Sequence, residues 1–330
     1  MDIPGPVLLT GATGFLGSHL LEALRGAGAR VTCMVRPSSD TVRLEASGLR
    51  VVRVAMDTPS DALREAVSGH ATVLHVAGAV RALDYDSFVK ANAELTQVLA
   101  QACIDAAAPP QRLVLISSVG ATGPAPAGQA LTEAHPPGER TDYGRSKWEG
   151  EQRLLAVQDQ LHCVIVRPTA IFGPRDKEML AVLKLASLGW LPAFAGPGQI
   201  YNLAHVDDIV QGALRACSAD VPSGSCFLIG GPDEPTAAEL ASLLGRVLER
   251  PVRLLPLPRT LLWLVAGISE LLAAVLRKPA MLNRQKIPEL TGSWALDLSR
   301  SEQQLGFRPQ VGLESGLVGT VAWYREQGML

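Results

Sequence analysis

The sequence predicts an α/β protein: a Rossmann-type doubly wound parallel sheet with a smaller C-terminal α/β domain for substrate. Three observations carry this. An apolar run, Val7–Thr10, ends in three glycines spaced three apart, Gly11, Gly14 and Gly17, and an apolar-periodic segment follows them. Strand-like runs then alternate with helical patterns through the first half of the chain, as a parallel sheet with helices on both faces requires. Beyond Pro168 the pattern loosens into Pro- and Gly-rich loops between short helices.

The glycine turn sets the first element. Gly11 permits the tight turn, Gly14 lets a phosphate approach the backbone without meeting a Cβ, and Gly17 lets the helix pack close to the sheet. Exposed N–H groups and the positive end of the helix dipole then attract a pyrophosphate. The expected cofactor contacts here are Gly11, Thr13, Gly14, Phe15, Leu16 and Gly17. Further strands are expected over Arg30–Val35, Val51–Val54, Thr72–Val76, Arg112–Ser117 and His162–Arg167, with helices to about Ala27 and over about 86–107 and 141–158. Residues 1–170 thus read as the dinucleotide-binding domain, to which some later segments return, and 171–330 as mainly a substrate-binding lid domain.

Composition narrows the class. Among 330 residues, 47% are apolar and 19% charged, so the chain folds around a large core. A net charge of −2 and the absence of a basic run argue against a nucleic-acid partner. Cys33, Cys103, Cys163, Cys217 and Cys226 are scattered without metal-ligand spacing and read as buried reduced thiols, so no metal is expected. The start, Met1 to Pro6, lacks a signal-peptide pattern, and a cytoplasmic location is expected.

The second strand bears on cofactor choice. Its end, Met34-Val35-Arg36-Pro37-Ser38-Ser39, has no carboxylate until Asp40, where a site for NAD would place an acid to bond the ribose hydroxyls. Arg36, supported by Ser38 or Ser39, suits a 2′-phosphate, so NADP is favoured and NAD left open. Asp57, after the third strand, could meet an adenine amino group or stand solvated on its loop. The fourth strand ends in His75-Val76-Ala77-Gly78, small residues where backbone lies against a cofactor. His75 is a candidate cofactor neighbour, with packing as the competing reading.

The chemical signal is Tyr143-Gly144-Arg145-Ser146-Lys147. Residues four apart share a helix face, so the ammonium is expected to stabilise the phenolate and lower the tyrosine pKa from its ordinary ~10. Ser117-Ser118 ends the fifth strand on the same sheet edge, where a hydroxyl can polarise a carbonyl. Glycine turn, strand-end serine and Tyr-x-x-x-Lys, in that order, are far more specific than any one alone.

Together these residues resemble the extended short-chain dehydrogenase/reductase family over almost the whole chain. The resemblance implies that Tyr143 is the acid/base, that Lys147 binds the nicotinamide ribose and depresses the tyrosine pKa, and that Ser118 holds the substrate oxygen. Asn92 matches the asparagine that supports the lysine through the helix backbone. Arg167-Pro168-Thr169-Ala170-Ile171-Phe172-Gly173-Pro174 resembles the stretch lining the nicotinamide, which adds Pro168, Thr169 and Ile171 to the expected cofactor contacts. Asn202 to Asp208 resembles the segment closing the site from the second domain. Departures are Val35-Arg36, where the NAD-selecting aspartate would stand, and Phe172 for the usual tyrosine.

Within the family the chain looks closer to dihydroflavonol-reductase and 3β-hydroxysteroid-dehydrogenase-like branches than to sugar-nucleotide epimerases. One reason is the apolar stretch Leu254–Leu276, interrupted only by Ser269-Glu270 and followed by Arg277-Lys278. It is short for a membrane span of about 20 residues and carries a charge, so 257–276 reads as a lid, a homodimer contact, a buried helix or a peripheral membrane contact. The expected activity is NADP(H)-dependent interconversion of a ketone and a secondary alcohol on a hydrophobic small molecule. A sugar-nucleotide epimerase or dehydratase with tightly bound NAD is the alternative. A non-catalytic NADP sensor on the same fold would predict a broken Ser-Tyr-Lys set, and this one is intact.

Overall fold

A computed structural model describes residues 3–126, 128–276 and 284–330. Met1, Asp2, Arg277 and Lys278 lie outside the described residues. The strands are β1 (Val7–Thr10), β2 (Val31–Val35), β3 (Arg50–Arg53), β4 (Thr72–His75), β5 (Arg112–Ile116) and β6 (Cys163–Pro168), then β7 (Ala170–Phe172), β8 (Trp190–Ala193), β9 (Leu203–His205), β10 (Ser225–Ile229) and β11 (Arg253–Pro256). The helices are α1 (Phe15–Gly26), α2 (Val42–Ala46), α3 (Asp61–Val67), α4 (Tyr85–Val89), α5 (Leu95–Ile104), α6 (Asp142–Leu155) and α7 (Lys177–Ser187). After them come α8 (Val206–Ser218), α9 (Ala237–Val247), α10 (Arg259–Leu276), α11 (Ile287–Thr291), α12 (Ser299–Leu305) and α13 (Leu313–Glu326).

Seven parallel strands form the main sheet in the order β10-β6-β5-β4-β1-β2-β3. The chain winds outward from β1 to β3, then returns to lay β4 on the other side of β1. The crevice between the carboxyl ends of β1 and β4 is therefore the switch point where such sheets bind ligands. Both faces are covered, which explains why the central strands are apolar throughout rather than alternating. Leu16, Leu20 and Leu24 of α1 and Ile209, Val210 and Leu214 of α8 pack one face, and Leu63, Leu99 and Leu154 of α3, α5 and α6 pack the other.

The seventh strand, β10, follows a long excursion and pairs with β6, Phe227 opposite Val166. With α8 it lies beyond residue 170 in sequence yet belongs to the first layer. The second domain holds two short parallel pairs, β11 with β8 and β7 with β9. Its core gathers Phe172, Leu183, Leu240, Leu244, Leu317 and Tyr324 from the surrounding helices. The expected long helix over 86–107 is divided. Between α4 and α5, Lys90–Glu94 form one π-helical turn, which draws Asn92 inward to 3% exposure. Cys33, Cys103, Cys163 and Cys217 are buried free thiols, and desolvation pushes those of Cys103 and Cys217 up to about 12.

Candidate active site

At the switch point the first turn is fixed by contact as well as by conformation. Gly11 has φ +74°, and a Cβ there would stand 2.8 Å from the Ala77 nitrogen, so β4 could not close on the turn. A Cβ on Gly17 would come 2.7 Å from the Gly11 carbonyl carbon and closer still to its oxygen. The twelve-residue helix α1 starts from Gly14 with no side-chain cap and no acidic residue in its first turn. Its leading N–H groups and dipole are thus left for an outside anion, and this cradle fits the pyrophosphate of a dinucleotide. Thr13 is exposed, Phe15 is half-buried with its ring edge on His19, and the Leu16 side chain belongs to the core, so Leu16 can offer a ligand only its backbone.

His75 is corrected from cofactor neighbour to internal tie. It is 1% exposed and bonded on both nitrogens, Nδ1 to Thr10 Oγ1 (2.8 Å) and Nε2 to Thr96 Oγ1 (3.2 Å). The Thr96 hydroxyl donates to the Asn92 carbonyl (2.6 Å), so it accepts from Nε2–H, and Nδ1 accepts from the Thr10 hydroxyl. Thr10 Oγ1 also accepts from the N–H groups of Val76 and Ala77 (3.1 Å each). Burial holds the imidazole neutral, its pKa down to about 3. Ala77 and Gly78, beyond it, remain at the crevice surface.

At the end of β2, Val35 is buried, whereas Arg36 and Ser38 are exposed; Asp57 stands exposed on the loop after β3. A cation the sequence reading passed over orders this corner. Arg53, opposite Val35 in register, donates to the Ser39 carbonyl (3.1 Å) and pairs with Glu45 (2.9 Å), while the described contacts give Arg36 no partner.

The candidate catalytic side chains Ser118 and Tyr143 meet around Gly120. Ser118 follows β5, and its Oγ accepts from Gly120 N–H (3.0 Å). Thr141 caps α6 by accepting from Gly144 N–H (3.1 Å), which starts the helix at the turn that carries Tyr143. A Cβ on Gly120 would lie 3.3 Å from Ser118 Oγ and 3.7 Å from the Tyr143 ring, so serine and tyrosine flank one small volume. Lys147, one turn further, is buried and donates from Nζ to the Ile116 carbonyl (2.6 Å). Asn92 Nδ2 donates to the Ala79 carbonyl and Ser146 Oγ (2.9 Å each), and its Oδ1 accepts from Ala79 N–H (2.8 Å). Asn92 therefore ties the loop after β4 to α6 through its side chain, where the resemblance implied support for the lysine through the helix backbone.

The expected depression of the tyrosine pKa is not found in the protein alone. Tyr143 keeps one open edge, but burial pushes its phenol up to about 12; the Ser118 hydrogen bond pulls the other way and the Glu289 charge adds to the rise. Lys147 is itself brought down to about 8 by burial, against the charge of Glu151, and its ammonium is turned to the Ile116 carbonyl rather than to the phenol.

The profile of the NAD dependent epimerase/dehydratase family matches residues 7–230. The chain belongs to that family. It is an extended short-chain dehydrogenase/reductase and an NAD(P)-dependent oxidoreductase by class. It is 28% identical to the ceramide reductase of Caulobacter vibrioides over 100% of this chain and 97% of that one. It is 30% identical to the sterol demethylase protein B of Methylococcus capsulatus over 98% and 99%. The crystal structure of gox2253 superposes with a TM-score of 0.80 at 26% identity, covering 98% of this chain and 99% of that one.

Two features of this family member escaped the sequence reading. Beneath the site, Glu151 and Arg167 form a buried two-pronged ion pair (3.0 and 2.7 Å); Ser117 also donates to Glu151, and Arg167 to Thr122 (2.9 Å). Glu151 stands one turn after Lys147, so the spacing Tyr143, Lys147, Glu151 was its available signal. Glu289 arrives from α11, hydrogen-bonds Thr141 and has its carboxyl pushed up, first by burial. No sequence pattern links it to Tyr143. In the stretch expected to line a nicotinamide, Pro168 ends β6, Ile171 packs on the core, and the Thr169 hydroxyl donates to the Asn202 carbonyl (2.9 Å).

Proposed function

We propose that the protein is an NADP(H)-dependent oxidoreductase interconverting a ketone and a secondary alcohol on a hydrophobic small molecule. The meeting of Ser118 and Tyr143 around Gly120 carries this reading, because two hydroxyls there can hold one substrate oxygen from both sides. The Gly11–Gly17 cradle would hold the pyrophosphate, Ala77 and Gly78 would border the cofactor, and the nicotinamide supplies the hydride when bound. Tyr143, protonated at neutral pH, donates its proton to the carbonyl oxygen during reduction and takes one back during oxidation. Ser118 donates a second hydrogen bond to that oxygen as charge grows on it, and Lys147 brings positive charge to the same helix face. Arg36, exposed at the end of β2 with no partner among the described residues, supports NADP over NAD. The ceramide reductase relative supports an apolar substrate.

The test is to assay the purified protein with NADPH and with NADH against a series of apolar ketones, and to identify any nucleotide that co-purifies. Faster ketone-dependent consumption of NADPH is the expected result. Retained NAD with no ketone turnover would replace this reading by the epimerase one.

A further inference from the structure

Helix α10 has two unlike sides. Leu262 and Ala266 are buried against Ile287, with Phe194 and Leu257 alongside, and Glu270 on that side accepts from Arg284 N–H (2.8 Å). The other side presents Leu261, Leu264, Val265, Ile268 and Leu271, from 41% to 67% exposed, at the spacing of one helical stripe. The strand pair before it adds exposed Trp190 and Leu255 on a shared face. An exposed apolar surface of this kind calls for a partner.

Charge selects that partner. The chain as a whole is −2, but residues 250–286, the segment that contains α10, hold seven of its 30 basic residues and one of its 32 acidic residues. That one, Glu270, is already paired with Arg284 (3.7 Å); Arg277 and Lys278, which follow α10 in sequence, lie outside the described residues. A second copy would set this patch against itself, because a two-fold interface is self-complementary, and like charges would oppose it. An anionic lipid surface would attract it. Among the described residues no helix is long and apolar enough to cross a membrane, and a one-sided stripe suits a helix lying in the interface plane.

We propose that the exposed stripe of α10 docks the protein on an anionic bilayer surface. Ile287, which packs against the back of α10, opens α11, and α11 carries Glu289 to the Thr141 cap beside Tyr143. The docked face thus backs onto the catalytic edge, and a hydrophobic carbonyl compound would reach the site from the bilayer. That last consequence rests on the reductase reading; the docking does not.

The experiment is co-sedimentation of the full-length protein with phosphatidylcholine vesicles, with and without phosphatidylglycerol, at low and high salt. Binding is expected to the phosphatidylglycerol vesicles, weakening with salt as screened attraction does. Leu264→Glu/Ile268→Glu should lower it by about tenfold or more, since two aliphatic side chains lose their burial, while Val42→Glu, on distant exposed α2, should leave it intact. Circular dichroism and thermal melts establish that each variant is folded. Absence of binding, equal binding by the double variant, or a concentration-dependent dimer that the double variant dissolves would overturn the proposal. A short water-soluble ketone assayed without vesicles tests the reductase reading separately.

Discussion

Gly144 is where the packing of the site can be tested most directly. It sits in the first turn of α6, immediately after Tyr143, and is buried against the turn that follows Ser118. A Cβ there would stand 2.9 Å from the Gly120 carbonyl carbon and closer still to its oxygen, where ordinary contact begins at 3.4 Å. Both neighbours are backbone, so no side chain can swing away. In Gly144→Ala the helix bearing Tyr143 and the turn bearing Ser118 must separate by a sizeable fraction of an ångström or more. Helix propensity alone favours alanine by about 1 kcal/mol, whereas overpacking a tight contact costs about 1–3 kcal/mol. The net expectation is a loss of about 0–2 kcal/mol in stability, so the rate is the sharper readout. A misplacement approaching 1 Å between cooperating groups lowers kcat by about 10²-fold. Gly319→Ala is the control: it lies in α13 with nothing within 4 Å of the new methyl, so it should stabilise by up to about 1 kcal/mol with activity unchanged. Thermal unfolding and steady-state ketone reduction read both variants. A Gly144→Ala enzyme with wild-type stability and rate would refute the idea that this contact sets the Ser118–Tyr143 spacing.

Tyr143→Phe keeps the ring and removes the proton carrier, so kcat should fall by about 10²-fold or more while NADPH affinity, measured by fluorescence titration, stays near wild type. Because burial keeps the wild-type phenol protonated, ketone reduction should be flat through neutral pH and alcohol oxidation should climb toward alkaline pH in a pH–rate series. Arg36→Ala should weaken NADPH by about 1.5–3 kcal/mol, the scale of a charged hydrogen bond, and barely affect NADH; equal losses in paired titrations would remove Arg36 from cofactor selection. His75 is neutral in the fold, its pKa down to about 3 from an ordinary 6.5, so on acidification the unfolded chain takes up its proton first. The stability this contributes is full above about pH 6.5 and falls by about 1.4 kcal/mol per pH unit below it. The drop in urea-unfolding free energy from about pH 7 to about pH 5 should therefore be smaller in His75→Asn than in wild type.

What the sequence could announce is what local chemistry dictates. The apolar run before Gly11, the glycine spacing and the uncapped start of α1 depend on residues within one turn of each other, and the structure holds them as expected. Tyr143 and Lys147 share a helix face by spacing alone. The parts that were hidden depend on partners far along the chain. Ser225–Ile229 looks like any buried strand, and only its pairing with β6 makes it the seventh strand of the sheet. The π-helical turn over 90–94 exists because Asn92 bonds Ala79 and Ser146, thirteen and fifty-four residues away. A period-3.6 pattern carries no sign of that.

His75 and Lys147 show the same limit at the level of chemistry. A histidine at a strand end can face the crevice or the core, and the two threonine hydroxyls that settle the matter, Thr10 and Thr96, are sixty-five and twenty-one residues away. An ammonium four residues after a phenol implies attraction, yet attraction acts only if the charge is aimed at the ring. Here the Ile116 carbonyl at the end of β5 accepts the Lys147 hydrogen bond, burial pushes the two groups' pKa values in opposite directions, and the charge that raises Tyr143 further is the Glu289 carboxylate from α11. Spacing gives the cast of the site, and the sheet edge decides which way each charge points.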